Sequence, residues 1–132
     1  MRCHNDPMPR HAITAANAAS VGSYSHAIET DGLLYLSGQT PLDPPSTMLV
    51  VGTIAEQTRQ CLTNLSGVLA AAGLTLDNVI KCNTYLTNMA DFDEYDAEYR
   101  THFSEPYPAR TTVAVAALPL GAQVEIEMIA HR

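Results

Sequence analysis

A strand that must be hidden on both sides constrains this chain more than any other feature. From Thr111 to Leu118 the sequence runs Thr-Thr-Val-Ala-Val-Ala-Ala-Leu. Val113, Val115 and Ala117 fall on one parity, and Ala114, Ala116 and Leu118 on the other. Both faces are therefore small and apolar, and such a strand needs cover on each. The chain has two helical segments to offer, and two helices cover one face of a small sheet. The second face then calls for a partner subunit, so the pattern predicts an oligomer.

The rest of the chain predicts a mixed sheet around that strand. Leu33 to Ser37 is an apolar run bounded by Asp31-Gly32 and Gly38, the signature of a buried strand between turns. Pro41, Pro44 and Pro45 enforce a loop, with a brief strand at Leu49 to Val51. Thr53 and Glu56 have the spacing of a capping box. Ile54, Cys61, Leu65, Val68, Leu69 and Ala72 form one apolar helical face, and Gly73 suits a left-handed C-cap. These signals predict a helix over 54–72. Val79 to Leu86 reads as a strand, with Ile80, Cys82, Thr84 and Leu86 on one face and Val79, Lys81, Asn83 and Tyr85 on the other.

Asp91 and Glu94 predict the cap of a second helix, in which Phe92, Tyr95, Tyr99 and Phe103 share a face and read as core. Pro106 and Pro108 close it. Gln123 to Ala130 alternates cleanly: Val124, Ile126, Met128 and Ala130 against Glu125, Glu127 and Ile129. The predicted order is β-β-(β)-α-β-α-β-β, an α+β domain of about six strands with both helices on one face. At 132 residues the chain suits one core. Residues 1–11 read as a flexible arm and 12–132 as a single domain.

Composition excludes several classes of function. The net charge of −7, with 14 acidic against 7 scattered basic residues, disfavours a nucleic-acid partner. No apolar run approaches the roughly 20 residues that span a bilayer, so no membrane partner is expected. Three cysteines without a C-x-x-C pattern argue for a reducing, cytoplasmic setting, and Cys61 and Cys82 read as buried hydrophobes. The five histidines lack metal-ligand spacing, and no phosphate-binding or nucleophile-elbow motif occurs. Ser25-His26 are adjacent on an extended chain and point apart, a poor nucleophile–base couple.

Three charged residues remain as candidates. Arg110 sits between Pro108-Ala109 and an apolar strand, where a charge needs a partner. Its fork suits a bound carboxylate, or an internal ion pair with Glu125 or Glu127. Glu125 and Glu127 share the face opposite the apolar set. They read either as a solvated outer face or as carboxylates in a cleft, one of them managing a water's proton.

Four segments in order carry a resemblance: Gly22-Ser23-Tyr24-Ser25-His26-Ala27, Leu36-Ser37-Gly38-Gln39-Thr40-Pro41, Gln57 through Leu65, and Pro108-Ala109-Arg110-Thr111 through Leu118-Pro119 to Val124-Glu125-Ile126-Glu127. From about residue 12 to the end the chain resembles the RidA/YjgF family. The resemblance implies a chorismate-mutase-like (YjgF) α+β fold and a homotrimer with ligand clefts between subunits. It implies hydrolysis of reactive 2-imino or enamine acids, such as 2-aminoacrylate and 2-iminopropionate, to 2-keto acids and ammonia, with no metal or organic cofactor. Some relatives imply instead a non-catalytic carboxylate-binding or chaperone-like trimer, or a deaminase of a specialised pathway.

Carried over residue by residue, Arg110 grips the substrate carboxylate, Glu125 holds or activates the water, and Tyr24, Ser37 and Gly38 line the cleft. Thr112 stands where the family often has cysteine, whose role there rests on backbone atoms, and Asp96 where asparagine is common. A carboxylate at 96 either repels a substrate acid or pairs with Arg110.

Overall fold

The computed structural model describes residues 9–16 and 22–132. The expected arm over 1–11 lies largely outside them, and His11 opens the first strand. Ten elements follow: β1 (His11–Ile13), β2 (Ala27–Thr30), β3 (Leu33–Gln39), β4 (Leu42–Asp43), β5 (Met48–Leu49), α1 (Ile54–Ala71), β6 (Val79–Leu86), α2 (Phe92–Arg100), β7 (Ala109–Ala114) and β8 (Val124–His131). Six strands form one sheet in the order β1-β2-β3-β8-β6-β7, while β4 and β5 pair separately. All neighbours in the large sheet are antiparallel except β6 and β7, which α2 joins as a parallel pair.

Local chemistry explains the best-defined pieces. The β2–β3 hairpin turns at Asp31 and Gly32, both with positive φ, as a tight primed turn requires. The Thr53 hydroxyl accepts from the Glu56 N–H while the Glu56 carboxylate accepts from the Thr53 N–H, completing the capping box of α1. The apolar face of α1 is wholly buried, with Cys61, Leu62, Leu65, Val68 and Leu69 fully shielded. Against it lie Leu34, Leu36, Cys82, Val124, Ile126, Met128 and Ala130 from the sheet, together with Tyr95 and Tyr99 from α2. Both helices thus cover one face, and among the described residues no helix covers the other. Tyr35, on that face, is 47% exposed.

Four local expectations need correction. On β6 a bulge between Val79 and Lys81 changes the parity, so Val79 is buried and Ile80 is exposed. Of the four residues predicted to share a face, Cys82, Thr84 and Leu86 do so, and that face is buried. Asp91 makes no capping bond: it ends a 3-10 turn in a helical conformation, from which its side chain does not cap the next turn. Asn88 caps that turn instead, and Glu94 accepts from the Ala55 N–H at 3.0 Å, tying α2 to the start of α1. Helix α2 ends at Arg100, well before Pro106, so Phe103 packs on Tyr99 from outside it. Finally β7 stops at Ala114 and sits at the sheet edge, with Val113 41% exposed. The second cover that its sequence demands is not supplied by the described residues.

Candidate functional site

Arg110 faces the helix side of the sheet. Its register partner on β6 is Cys82, and that of Thr112 is Thr84, both buried beneath α2. Helix α2 presents Phe92, Tyr95 and Tyr99 to the guanidinium, whose carbon lies 4.7 Å from the Tyr99 ring centre and 5.5 Å from each of the other two. Flat, weakly hydrated guanidinium groups are well suited to such stacking.

One edge of the fork is taken. Arg110 Nη1 donates to Asp96 Oδ1 at 2.7 Å, and Arg100 Nη2 donates to Asp96 Oδ2 at 2.7 Å. Burial pushes the Asp96 carboxyl up, but the hydrogen bonds to Arg110 and Arg100 outweigh it and hold the group below its ordinary range. The cluster therefore carries two cations around one anion. A cavity of about 460 Å³ opens here, lined by Arg110, Asp96, Arg100, Tyr99, Glu105 and Tyr107 with Pro108. Thr112 stands two residues further along the same face. Its hydroxyl is buried on the Tyr95 side of the cluster, and among the described residues its geometry gives it no hydrogen bond.

Glu125 faces the opposite way. It projects from β8 on the open side of the sheet, across from Tyr85 of β6. A second cavity of about 430 Å³ is lined by Glu125, Glu127, Tyr24, Ser37, Gly38 and Thr40 with Pro119. Gly38 lets the carboxylate come close: a Cβ there would stand 2.8 Å from Glu125 Oε2. Ser37 Oγ donates to the Ser25 carbonyl at 2.6 Å, which fastens the Tyr24 loop to β3. Glu125 accepts no hydrogen bond from the described residues. Burial, and then the charge of Glu127, raise its proton affinity above that of an ordinary carboxyl.

Most of the chain has relatives among known proteins. The family described as Endoribonuclease L-PSP matches residues 14–132. A protein of Mus musculus named 2-iminobutanoate/2-iminopropanoate deaminase is 44% identical over 122 residues, spanning 92% of this chain and 90% of the mouse protein. The crystal structure of RidA from an Antarctic Psychrobacter matches with a TM-score of 0.90 at 40% identity, covering 93% of this chain and 100% of its own. This chain belongs to the RidA/YjgF family. Another solved relative, E. coli TdcF with bound serine, matches with a TM-score of 0.87 at 31% identity, over 92% of this chain and 98% of that one.

As in its RidA relatives, two helices on one face of a mixed six-stranded sheet make up the fold. Within it the residues implied by the family resemblance divide into two groups. Tyr24, Ser37 and Gly38 lie with Glu125, while Asp96 and Thr112 lie with Arg110. Among the described residues the two groups line separate cavities on opposite sides of the sheet. An internal ion pair from Arg110 to Glu125 or Glu127 is ruled out by the same geometry, because those carboxylates are on the other side of the sheet. The partner is Asp96.

Arg100, Tyr99, Glu105 and Tyr107 were not anticipated in the first cavity. The i, i+4 spacing of Asp96 and Arg100 was the available signal for one of them. The tyrosines read as core, and Tyr99 is both core and platform. Among the described residues no group of three or more His, Cys, Asp or Glu side chains is placed to hold a metal ion, and no helix is long and apolar enough to cross a membrane.

Proposed function

We propose that this protein is a cytoplasmic homotrimer that hydrolyses reactive 2-imino acids to 2-keto acids and ammonia in clefts shared by neighbouring protomers. Residues 12–132 form its single domain, and no metal or organic cofactor takes part. Glu125 carries the reading. It is a half-buried carboxylate with no donor among the described residues and with raised proton affinity, in a cavity that leaves room for a small substrate and a water. Relatives named as 2-iminobutanoate/2-iminopropanoate deaminases cover nearly the whole chain. The TdcF structure, which holds serine, adds a relative with a small α-amino acid bound.

The chemistry follows from the two half-sites. The open guanidinium edge of Arg110 takes the substrate carboxylate and fixes the imine carbon. Glu125 of the neighbouring protomer accepts a proton from water as its oxygen bonds to that carbon. It passes the proton to nitrogen, then takes the hydroxyl proton as the C–N bond breaks and C=O forms. Ammonia leaves, and the carboxylate's proton goes with it as ammonium. Tyr24, Ser37 and Gly38 shape the wall beside Glu125, and the Thr112 hydroxyl lies within the Arg110 half. Asp96, paired with both arginines, presents little free charge to repel an acid. The net charge of −7 favours this small zwitterionic substrate over the RNA that the family description suggests.

The direct test generates 2-iminopropionate in situ with an amino-acid oxidase and traps the remaining imine with semicarbazide. The protein is expected to suppress semicarbazone formation in proportion to its concentration, with pyruvate and ammonia released. If no concentration does so, yet calorimetry shows pyruvate binding, the chain is a carboxylate-binding protein and not a deaminase.

Gly38→Ala tests the wall. Its methyl group would force the Glu125 carboxylate aside. A displacement of about 1 Å at a positioned group costs on the order of a hundredfold. We expect a loss of about tenfold to a hundredfold in kcat, with far-ultraviolet circular dichroism unchanged. Wild-type kcat in a folded Gly38→Ala protein would mean that Glu125 is not held where the mechanism needs it.

A further inference from the structure

Glu127 lies in the same cavity as Glu125, two residues along β8 and on the same face, yet it is held quite differently. Its Oε1 accepts a short hydrogen bond from the Tyr85 hydroxyl, and the Asn83 amide nitrogen approaches the same oxygen at 3.4 Å. Glu125 has no such donors. The fold thus supports the charged form of one carboxylate and leaves the other undecided. Side chains at i and i+2 are separated by roughly 7 Å of strand, close enough for one charge to govern the other.

We infer, on the basis of the deaminase reading above, that Glu127 is a positioning residue: clamped by Tyr85 and Asn83, it keeps a standing negative charge beside Glu125 and so assigns the proton-carrying role to Glu125. Two carboxylates with unequal surroundings divide into a fixed charge and a proton carrier. The Tyr85 hydroxyl suits the clamp. Its hydrogen bond to Glu127, burial and the nearby carboxylates raise its pKa to about 12, so it remains a donor.

The groups that face Glu125 from each neighbouring element are few. On β8 there is Glu127; on β6, Tyr85 and Asn83; on β3, Ser37 and Gly38; before β2, Tyr24. Across the sheet, and so not facing Glu125, the Cys61 thiol of α1 is kept neutral by burial and then by the charge of Glu125. In the proposed trimer the partner's Arg110 supplies the cation through the bound substrate.

The experiment follows the carboxyl titrations of full-length protein by carbon-13 NMR, alongside the pH profile of kcat/KM. Glu127→Gln keeps the shape and the hydrogen bond but removes the charge. The Glu125 midpoint is expected to move to lower pH, the acid limb of kcat/KM to move with it, and plateau kcat to fall on the order of threefold to tenfold as the base weakens. Glu127→Asp, which retains the charge, should restore most of the Glu125 midpoint. Tyr85→Phe, which removes the donor that holds Glu127, should move the Glu125 midpoint the same way as Glu127→Gln but by less, and this arm serves if Glu127→Gln does not fold.

An unchanged Glu125 midpoint in Glu127→Gln, or in Tyr85→Phe, overturns the inference. The NMR arms do not need turnover. A protein without deaminase activity but with the expected midpoints loses the enzymatic reading and keeps the electrostatic pairing.

Discussion

Arg110→Ala is expected to lose on the order of a hundredfold to a thousandfold in kcat/KM for 2-iminopropionate. Three features of its setting make the effect large. The guanidinium rests against three aromatic rings, so its place is set by packing before substrate arrives. Asp96 takes only Nη1, which leaves the remaining N–H donors for a carboxylate. The surroundings are partly buried, so a substrate charge left without its partner is poorly compensated by water. KM should rise because the anchoring ion pair is gone, and kcat should fall because the imine carbon is no longer held beside the water.

Arg110→Lys separates charge from shape. An ammonium cannot donate as a fork or stack as a plane, so it should recover only a small part of the loss. Steady-state kinetics on variants with unchanged thermal midpoints decide the matter. Near-wild-type kcat/KM in folded Arg110→Ala would leave Arg110 as a structural partner of Asp96 and nothing more.

Why this arginine was visible in the sequence while its partner was not is a matter of distance along the chain. A charge beside an apolar strand announces itself, because an uncompensated charge there is costly. Choosing its partner requires knowing which face of β7 it occupies. That depends on the pairing of Cys82 with Arg110, which no local pattern encodes. Helix α1 shows the opposite case. Its cap, its apolar stripe and its closing Gly73 are all local, and the structure reproduces them. The β6 bulge at Ile80 again depends on a neighbour, the register against Ala130 and Ile129, so the alternation misassigned Val79 and Ile80. Asp91 had the spacing of a cap but not the backbone conformation, which the preceding 3-10 turn determines.

The candidate site was legible in the same uneven way. Glu125 and Glu127 were visible as a face of a strand. Their unequal hydrogen bonding rests on Tyr85 and Asn83, some forty residues earlier.

Glu125→Gln should lower kcat on the order of a hundredfold to ten-thousandfold, with little change in KM, because the amide fills the same space but carries no proton between water and nitrogen. The pH profile gives an independent sign. Burial and the Glu127 charge raise the affinity of Glu125 for its proton. Activity that needs the ionised form is therefore lost as pH falls through a midpoint above that of an ordinary glutamate, and Glu125→Gln should erase this acid limb.

Because Arg110 and Glu125 lie on opposite faces of one sheet, the two variants should also rescue each other. In protomers exchanged at equal ratio between Arg110→Ala and Glu125→Gln, about one cleft in four pairs an intact Arg110 with a neighbour's intact Glu125. Each such cleft is wild type. Activity of the mixture should then rise far above that of either parent, toward a quarter of the native rate, and decline when protomer exchange is blocked by cross-linking before mixing. A mixture no more active than its parents would place both residues' work within a single protomer, and the shared cleft would have to be abandoned.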